Sequence, residues 1–288
     1  MTIRRPRSAA ATSLLLLLLA HPAAAFVCLS PAGGNPADPA LCTRWTGGIA
    51  RMKALLGPSG GILFNGTSSW DDNIFAAAQD WNAAGAGFTF QIVGGELIDP
   101  CGRQGPGHAC NNTGPEGDNP IFFSDTICGA GYGDIIAQTT NCFTPTSFQS
   151  RMVNSPVFFN ANERWNAYDG SLRPDGILDI RRVILHELGH VLGLVHPDEN
   201  GQFVQAIMNR RVSNRDRLQA DDISGASFIY RGGVPPAGPP PDGASSGCQL
   251  DPRGTASPFA ASLLLAGAWL ATRARRRRVP ADLPRRRQ

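Results

Sequence analysis

Residues 186–196 read His186-Glu187-Leu188-Gly189-His190-Val191-Leu192-Gly193-Leu194-Val195-His196. Upstream, Asp179 can cap a helix that carries Ile180, Val183, Ile184 and Leu188 at helical spacing. On such a helix His186 and His190 stand four apart, so both imidazoles leave one face and can bind a single metal ion. Glu187 follows the first histidine and is expected beside the open side of that metal. Gly193 stands where the helix should stop, because glycine readily takes the left-handed conformation that turns the chain. The turn brings His196 back as a third ligand. Three neutral imidazoles with one open position predict a catalytic zinc site, whereas a structural site closes all four positions with protein ligands.

Working outward, Ser69 can cap a first helix running to about Asn82, with Trp70, Ile74, Ala77 and Trp81 as its buried stripe. Phe88, Phe90 and Ile92 alternate with polar or small residues and predict a strand. Residues 94–119 are rich in Gly, Pro and Asn and read as loop. Short apolar runs at Ile121–Phe123, Asp134–Ala137 and Pro156–Phe159 predict further strands, and a last helix starts near Leu218 or Asp221 and reaches about Tyr230. No internal repeat is present. The order predicts an α+β domain over residues 26–231 with one mixed sheet.

The H-E-x-x-H-x-x-G-x-x-H pattern of residues 186–196 resembles the metzincin zinc metallopeptidases, with every fixed position present. The resemblance implies a zincin-like catalytic domain with a mixed, mostly parallel sheet, a central zinc-binding helix and a C-terminal helix. It implies one catalytic Zn2+ on His186, His190 and His196, with Glu187 as general base, and protein or peptide substrates. Metzincins also place a methionine under the zinc, and Met208, twelve residues past His196, is the candidate. Among metzincins the matrixin branch, in its bacterial form, is the most similar. Ala76-Ala77-Ala78-Gln79-Asp80-Trp81-Asn82, Pro156-Val157-Phe158-Phe159-Asn160 and Ala220-Asp221-Asp222-Ile223-Ser224-Gly225 look like that branch's first helix, substrate-side strand and last helix.

There are departures. Pro197 is more like the serralysin branch, and Arg210 stands where serralysins and astacins carry a metal-binding Tyr. Of the five histidines only His108 is spare once the three ligands and His21 are set aside, so the second, structural zinc of matrixins is not expected. Asp118, Asp125 and Asp134 are loop acids that could bind Ca2+, with a solvated or strand-end role as the competing reading. Pro100-Cys101-Gly102-Arg103 only faintly resembles a cysteine switch, and Cys101 reads better as half of a disulfide. An extended substrate is expected to pair with an edge strand near Val157–Asn160.

The two ends read as export signals. Residues 1–25 combine Arg4, Arg5 and Arg7, the apolar run Leu14–Leu19 and Ala23-Ala24-Ala25, the layout of a secretory signal peptide with Phe26 as the mature start. Residues 232–247 form a Pro/Gly-rich linker. Residues 248–288 then hold Cys248, an apolar stretch from Pro258 to Thr272 and the arginines Arg273 and Arg275–Arg278. This tail resembles the MYXO-CTERM class of bacterial surface-sorting tails, with a plain membrane anchor as the alternative. Both readings place the domain outside the cytoplasm, at the cell surface or beyond, with membrane contact only through the tail. Six cysteines precede that tail, which in an exported chain predicts disulfides; the fifteen possible connectivities stay open, with the sequential pairs Cys28–Cys42, Cys101–Cys110 and Cys128–Cys142 favoured because they close short loops.

The net charge of +3 is an average over unlike segments. Residues 1–25 carry three Arg and no acid, residues 248–288 nine Arg and two Asp, and residues 26–247 the remaining 14 basic and 21 acidic groups. The working domain is therefore acidic, which argues against nucleic acid as a partner. The reading that follows is an exported zinc endopeptidase, expected as a monomer. The alternative is a non-catalytic surface protein whose metal site is structural or binds a partner.

Overall fold

The structure, a computed structural model, describes residues 26–31, 33, 37–101, 119–145 and 150–232. In chain order these form β1 (Val27–Cys28), β2 (Ile49–Leu55), α1 (Trp70–Ala83), β3 (Thr89–Val93), β4 (Pro120–Ser124), β5 (Ala137–Thr139), β6 (Cys142–Pro145), β7 (Ser150–Asn154), β8 (Val157–Asn160), β9 (Trp165–Asn166), β10 (Leu178–Asp179), α2 (Ile180–Leu192), β11 (Leu194–Val195) and α3 (Ala220–Arg231). The signal segment, nearly all of the linker, the C-terminal tail, His108, Cys110 and Asp118 lie outside the described residues. No helix among the described residues is long and apolar enough to cross a membrane.

The main sheet has five strands in the order β3-β2-β4-β8-β5. The first four run parallel, and β5 pairs antiparallel with β8. This is the expected α+β arrangement with a mixed, mostly parallel sheet. The interior strand β2, between β3 and β4, carries no strand signal in the sequence: its buried positions are Ala50, Met52 and Ala54, none of them β-branched or aromatic. The predicted run at Asp134–Ala137 begins as a turn, and the strand is Ala137–Thr139.

Helices α1 and α2 cover one face of the sheet and share a core with Ala50, Met52, Phe90, Ile121, Val157 and Phe159. Each large aliphatic side chain fully buried there contributes about 1.5–3 kcal/mol. At the start of α1, the Ser69 hydroxyl accepts the Asp71 N–H at 3.2 Å, and Asp71 and Asp72 sit at the positive end of the helix. Trp81 Nε1 donates to Leu185 O at 3.0 Å and so fixes α1 against α2. The opposite face of the sheet carries Phe122 and Phe158, packed under Ile127 and Tyr132.

Disulfides join Cys28 to Cys42 and Cys101 to Cys128. The first is the expected pair. The second overturns the sequential pairing of the later cysteines: the chain from β3 crosses to the start of the β4–β5 connection, so Cys101 meets Cys128 across 27 residues. Cys142 is disulfide-bonded as well, but not to Cys128. Loop cysteines are paired by tertiary proximity, which sequence spacing does not report.

Candidate metal centre

Asp179 stands at the N-cap position of α2, but its side chain makes no capping hydrogen bond to the helix: the carboxylate instead accepts the Tyr168 N–H at 3.2 Å and faces the guanidinium of Arg182 at 3.5 Å. Both side chains are almost wholly buried, and burial pushes the Asp179 carboxyl up to about 6 despite Arg182. Arg182 also donates to the backbone carbonyls of Ser213 and Gly170, which ties two connecting loops to the helix that bears the histidines.

His186 and His190 leave one face of α2, and Gly193 ends the helix in the left-handed conformation at φ 108°. A side chain there would be strained by that φ, and its Cβ would lie 2.7 Å from Thr43 O. The chain reverses through β11 and returns His196 to the other two histidines. Their three Nε2 atoms lie 3.0, 3.0 and 3.1 Å apart. Among the described residues no other group of three or more His, Cys, Asp or Glu converges in this way. Asp125 and Asp134 are exposed and join no such group.

The hydrogen bonds behind the rings decide what this triangle can hold. His186 Nδ1 donates to Ile207 O at 2.8 Å, His190 Nδ1 to Leu194 O at 2.8 Å and His196 Nδ1 to Glu199 Oε2 at 2.6 Å. All three partners are acceptors only, so each ring carries its proton on Nδ1 and presents a bare Nε2. Three lone pairs at such separations repel unless a cation lies between them. Ligands about 2.0–2.1 Å from a tetrahedral zinc would stand roughly 3.3 Å apart, so the donor set and its spacing fit zinc. Burial, with the neighbouring histidines adding to it, holds His190 well below the usual imidazole range. Burial lowers His196 too, with Glu199 opposing it. Both effects favour the neutral, ligating form.

Glu187 is buried, with its carboxylate 2.6 Å from the Thr139 hydroxyl on β5. Burial raises its carboxyl above the usual range, while His186 and the Thr139 hydrogen bond oppose that rise. Met208 is also buried, directly beneath α2: a Cβ added at Gly189 would fall 2.1 Å from its sulfur. Gly189 is thus the gap in the helix surface into which the methionine packs. The Met208 turn is held from α3, where Asp222 accepts the N–H groups of Ile207 at 2.9 Å, Met208 at 3.2 Å and Gln219 at 2.7 Å. Through Ile207 O the same turn orients His186.

The six residues singled out in the sequence around this centre therefore come together. Sequence reading missed three others. Thr139 stands in a short strand with no distinguishing pattern. Glu199 is an exposed acid in a polar turn; only its place three residues past His196 sets it apart. Asp222 was legible only as part of a family-like segment, although an acid at the third position of a helix is a capping signal. Arg210 is exposed, and its guanidinium lies 2.9 Å from Glu199 Oε1. It braces the acid behind His196. The substrate-side strand needs correction: β8 is flanked by β4 and β5, and the strand at that end of the sheet is β5.

Residues 124–231 match the family model of the matrixin peptidases. The matched stretch contains β5, β8, α2, the Met208 turn and α3, and it supports a matrixin-like zinc metallopeptidase that acts on proteins or peptides. Among solved structures, a chain from the GM1-bound form of the ECX AB5 holotoxin is similar with a TM-score of 0.36 and 16% identity, over 66% of this chain and 84% of that one. At that TM-score the likeness defines neither fold nor function.

Proposed function

We propose that the chain is an exported zinc endopeptidase in which His186, His190 and His196 hold the metal and Glu187 is the general base. The observation that carries this reading is the convergence of three Nε2 lone pairs, each fixed by an acceptor behind its ring, beside a buried carboxylate. Bound there, zinc supplies Lewis acidity: it acidifies water towards neutral pH and polarises a peptide carbonyl. Glu187 takes up the proton that the water loses and passes it to the amine released by C–N cleavage. Its burial, which makes the carboxylate more basic, suits both transfers. Thr139 holds the carboxylate in one orientation. Met208 with Gly193 supports the geometry of the three histidines.

An extended substrate is proposed to align on β5, which pairs with β8 on one side and with no strand on the other among the described residues. The Cys28–Cys42 and Cys101–Cys128 disulfides support work in an oxidising compartment, consistent with a signal segment over residues 1–25. We further propose a surface-sorting or anchoring role for residues 248–288 beyond the 232–247 linker, with the 26–231 domain acting as a monomer.

The deciding experiment uses the full chain secreted into an oxidising compartment. It should carry one zinc and cleave an unstructured protein such as casein, and Glu187→Ala should keep the zinc and lose the cleavage. Full cleavage by that variant would remove Glu187 from the mechanism. Zinc binding without cleavage of any member of a broad peptide library would favour the non-catalytic alternative.

A further inference from the structure

Gly193 N–H caps Gly189 O and His190 O from within α2, and the carbonyls that follow are capped from outside the helix. Val191 O accepts from Trp45 Nε1 at 2.8 Å, Leu192 O from the Tyr230 hydroxyl at 2.8 Å and Gly193 O from Leu29 N at 2.7 Å. These are carbonyls that a helix leaves without partners of its own. Two of the three donors belong to the N-terminal segment. That segment continues as β1, which pairs antiparallel with β11, Val27 opposite Val195 and Cys28 opposite Leu194. β1 is the one sheet partner of β11 among the described residues.

β11 matters to two ligands at once. Leu194 O accepts from His190 Nδ1, and Val195 is bonded directly to His196. The backbone pairing that places β11 therefore orients the second histidine and positions the third. A two-residue strand has little pairing energy of its own. Here it is held by the Cys28–Cys42 disulfide and by Thr43, which donates its N–H to Leu29 O at 2.7 Å and is fully buried.

We propose that Phe26–Leu29 and Cys42–Trp45, locked together by the Cys28–Cys42 disulfide, form a positioning element of the metal centre, and that the lock sets how tightly the three histidines hold zinc. Its residues touch no reacting atom; they act through β11 and the helix end. The disulfide removes freedom from the segment when it is undocked, so docking costs less chain entropy in the locked form. Loss of the lock lets β1 leave β11, and the acceptor behind His190 and the backbone before His196 then lose their fixed places. The inference rests on the zinc-site reading above.

The test is metal binding by the full secreted chain, with Zn2+ or Co2+ alone as the probe. Zinc affinity is read by competition with a chromophoric chelator, and ligand geometry by the Co2+ visible absorption. Cys28→Ser/Cys42→Ser should weaken zinc binding about tenfold or more, the usual effect of losing support behind metal ligands, and should alter the Co2+ spectrum. Cys101→Ser/Cys128→Ser, which opens the disulfide on the far face of the sheet, should bind within about threefold of the parent. Equal affinity and an unchanged spectrum in Cys28→Ser/Cys42→Ser would overturn the proposal and leave the zinc reading standing. Failure of the parent chain itself to bind metal would instead overturn the zinc reading. Should the double variant not fold, Trp45→Phe decides: it keeps the disulfide, deletes the donor to Val191 O and should also weaken zinc binding, and parent-like affinity there overturns the proposal.

Discussion

Thr139 Oγ1 lies 2.6 Å from Glu187 Oε2, joining the edge strand β5 to the buried carboxylate of α2. The same hydroxyl is 3.1 Å from Glu187 O, but it has one proton, and the shorter contact to the carboxylate takes it. The strand proposed to align substrate is thus bonded to the proposed base. Thr139→Val keeps the shape of the side chain and removes the donor. A hydrogen bond to a charged group is worth about 1.5–3 kcal/mol, so kcat/KM should fall about 10- to 100-fold. Zinc content should not change, and Thr139→Ser should retain most activity. A Val variant as active as the parent would show that the contact is incidental.

Glu199 stands behind His196 as backbone carbonyls stand behind the other two histidines, but it is a side chain, braced by Arg210. Glu199→Ala is expected to weaken zinc binding by about tenfold or more. Arg210→Ala should have a smaller effect, since its guanidinium meets only the outer oxygen of that carboxylate at an exposed position. Chelator competition on both variants checks the order; an Arg210 effect larger than that of Glu199 would contradict it.

Gly189 and Met208 form a matched pair, with no room for a Cβ between helix and sulfur. Gly189→Ala should lower unfolding stability by about 1–3 kcal/mol, the usual range for overpacking a core. Combined with Met208→Ala the same change should cost less, because the obstructing sulfur is gone. Denaturant titration of the two single variants and the double variant reads this as a coupling energy. Strict additivity would mean that something other than Met208 keeps residue 189 small.

Asp222 supplies a pH dependence of known sign. Burial pushes its carboxyl up to about 7 from an unfolded value near 3.8. Between those values the folded protein binds more proton than the unfolded chain, so through this group stability falls as pH rises, and the loss is complete above about 7. The magnitude is on the order of a few kcal/mol. Asp222→Asn keeps an acceptor and removes the titration. The difference in Tm between parent and variant should shift in favour of the variant as pH rises from 5 to 8. Taking that difference at each pH cancels the metal dependence they share, and a difference that stays flat would rule the linkage out.

What the amino-acid order determined by itself was local. Helical spacing placed His186 and His190 on one face, Gly193 marked the turn, and Ser69 and Asp179 marked the starts of α1 and α2. These features are legible because their physics acts within a turn or two of chain. Everything that required distant segments to meet was decided by the tertiary structure. β2 lies inside the sheet although Ala50, Met52 and Ala54 give it no strand signature, because its neighbours β3 and β4 supply the pairing. Cys101 pairs with Cys128 instead of its sequence neighbour. The edge beside the site is β5 and not β8. Thr139, Glu199 and Asp222 gain their roles only from what folding sets against them, and the N-terminal strand meets β11 from the far end of the domain. The proposed ligands are legible from spacing along one helix and the turn that ends it; the support that orients their rings comes from hydrogen bonds between remote segments, which no local pattern records.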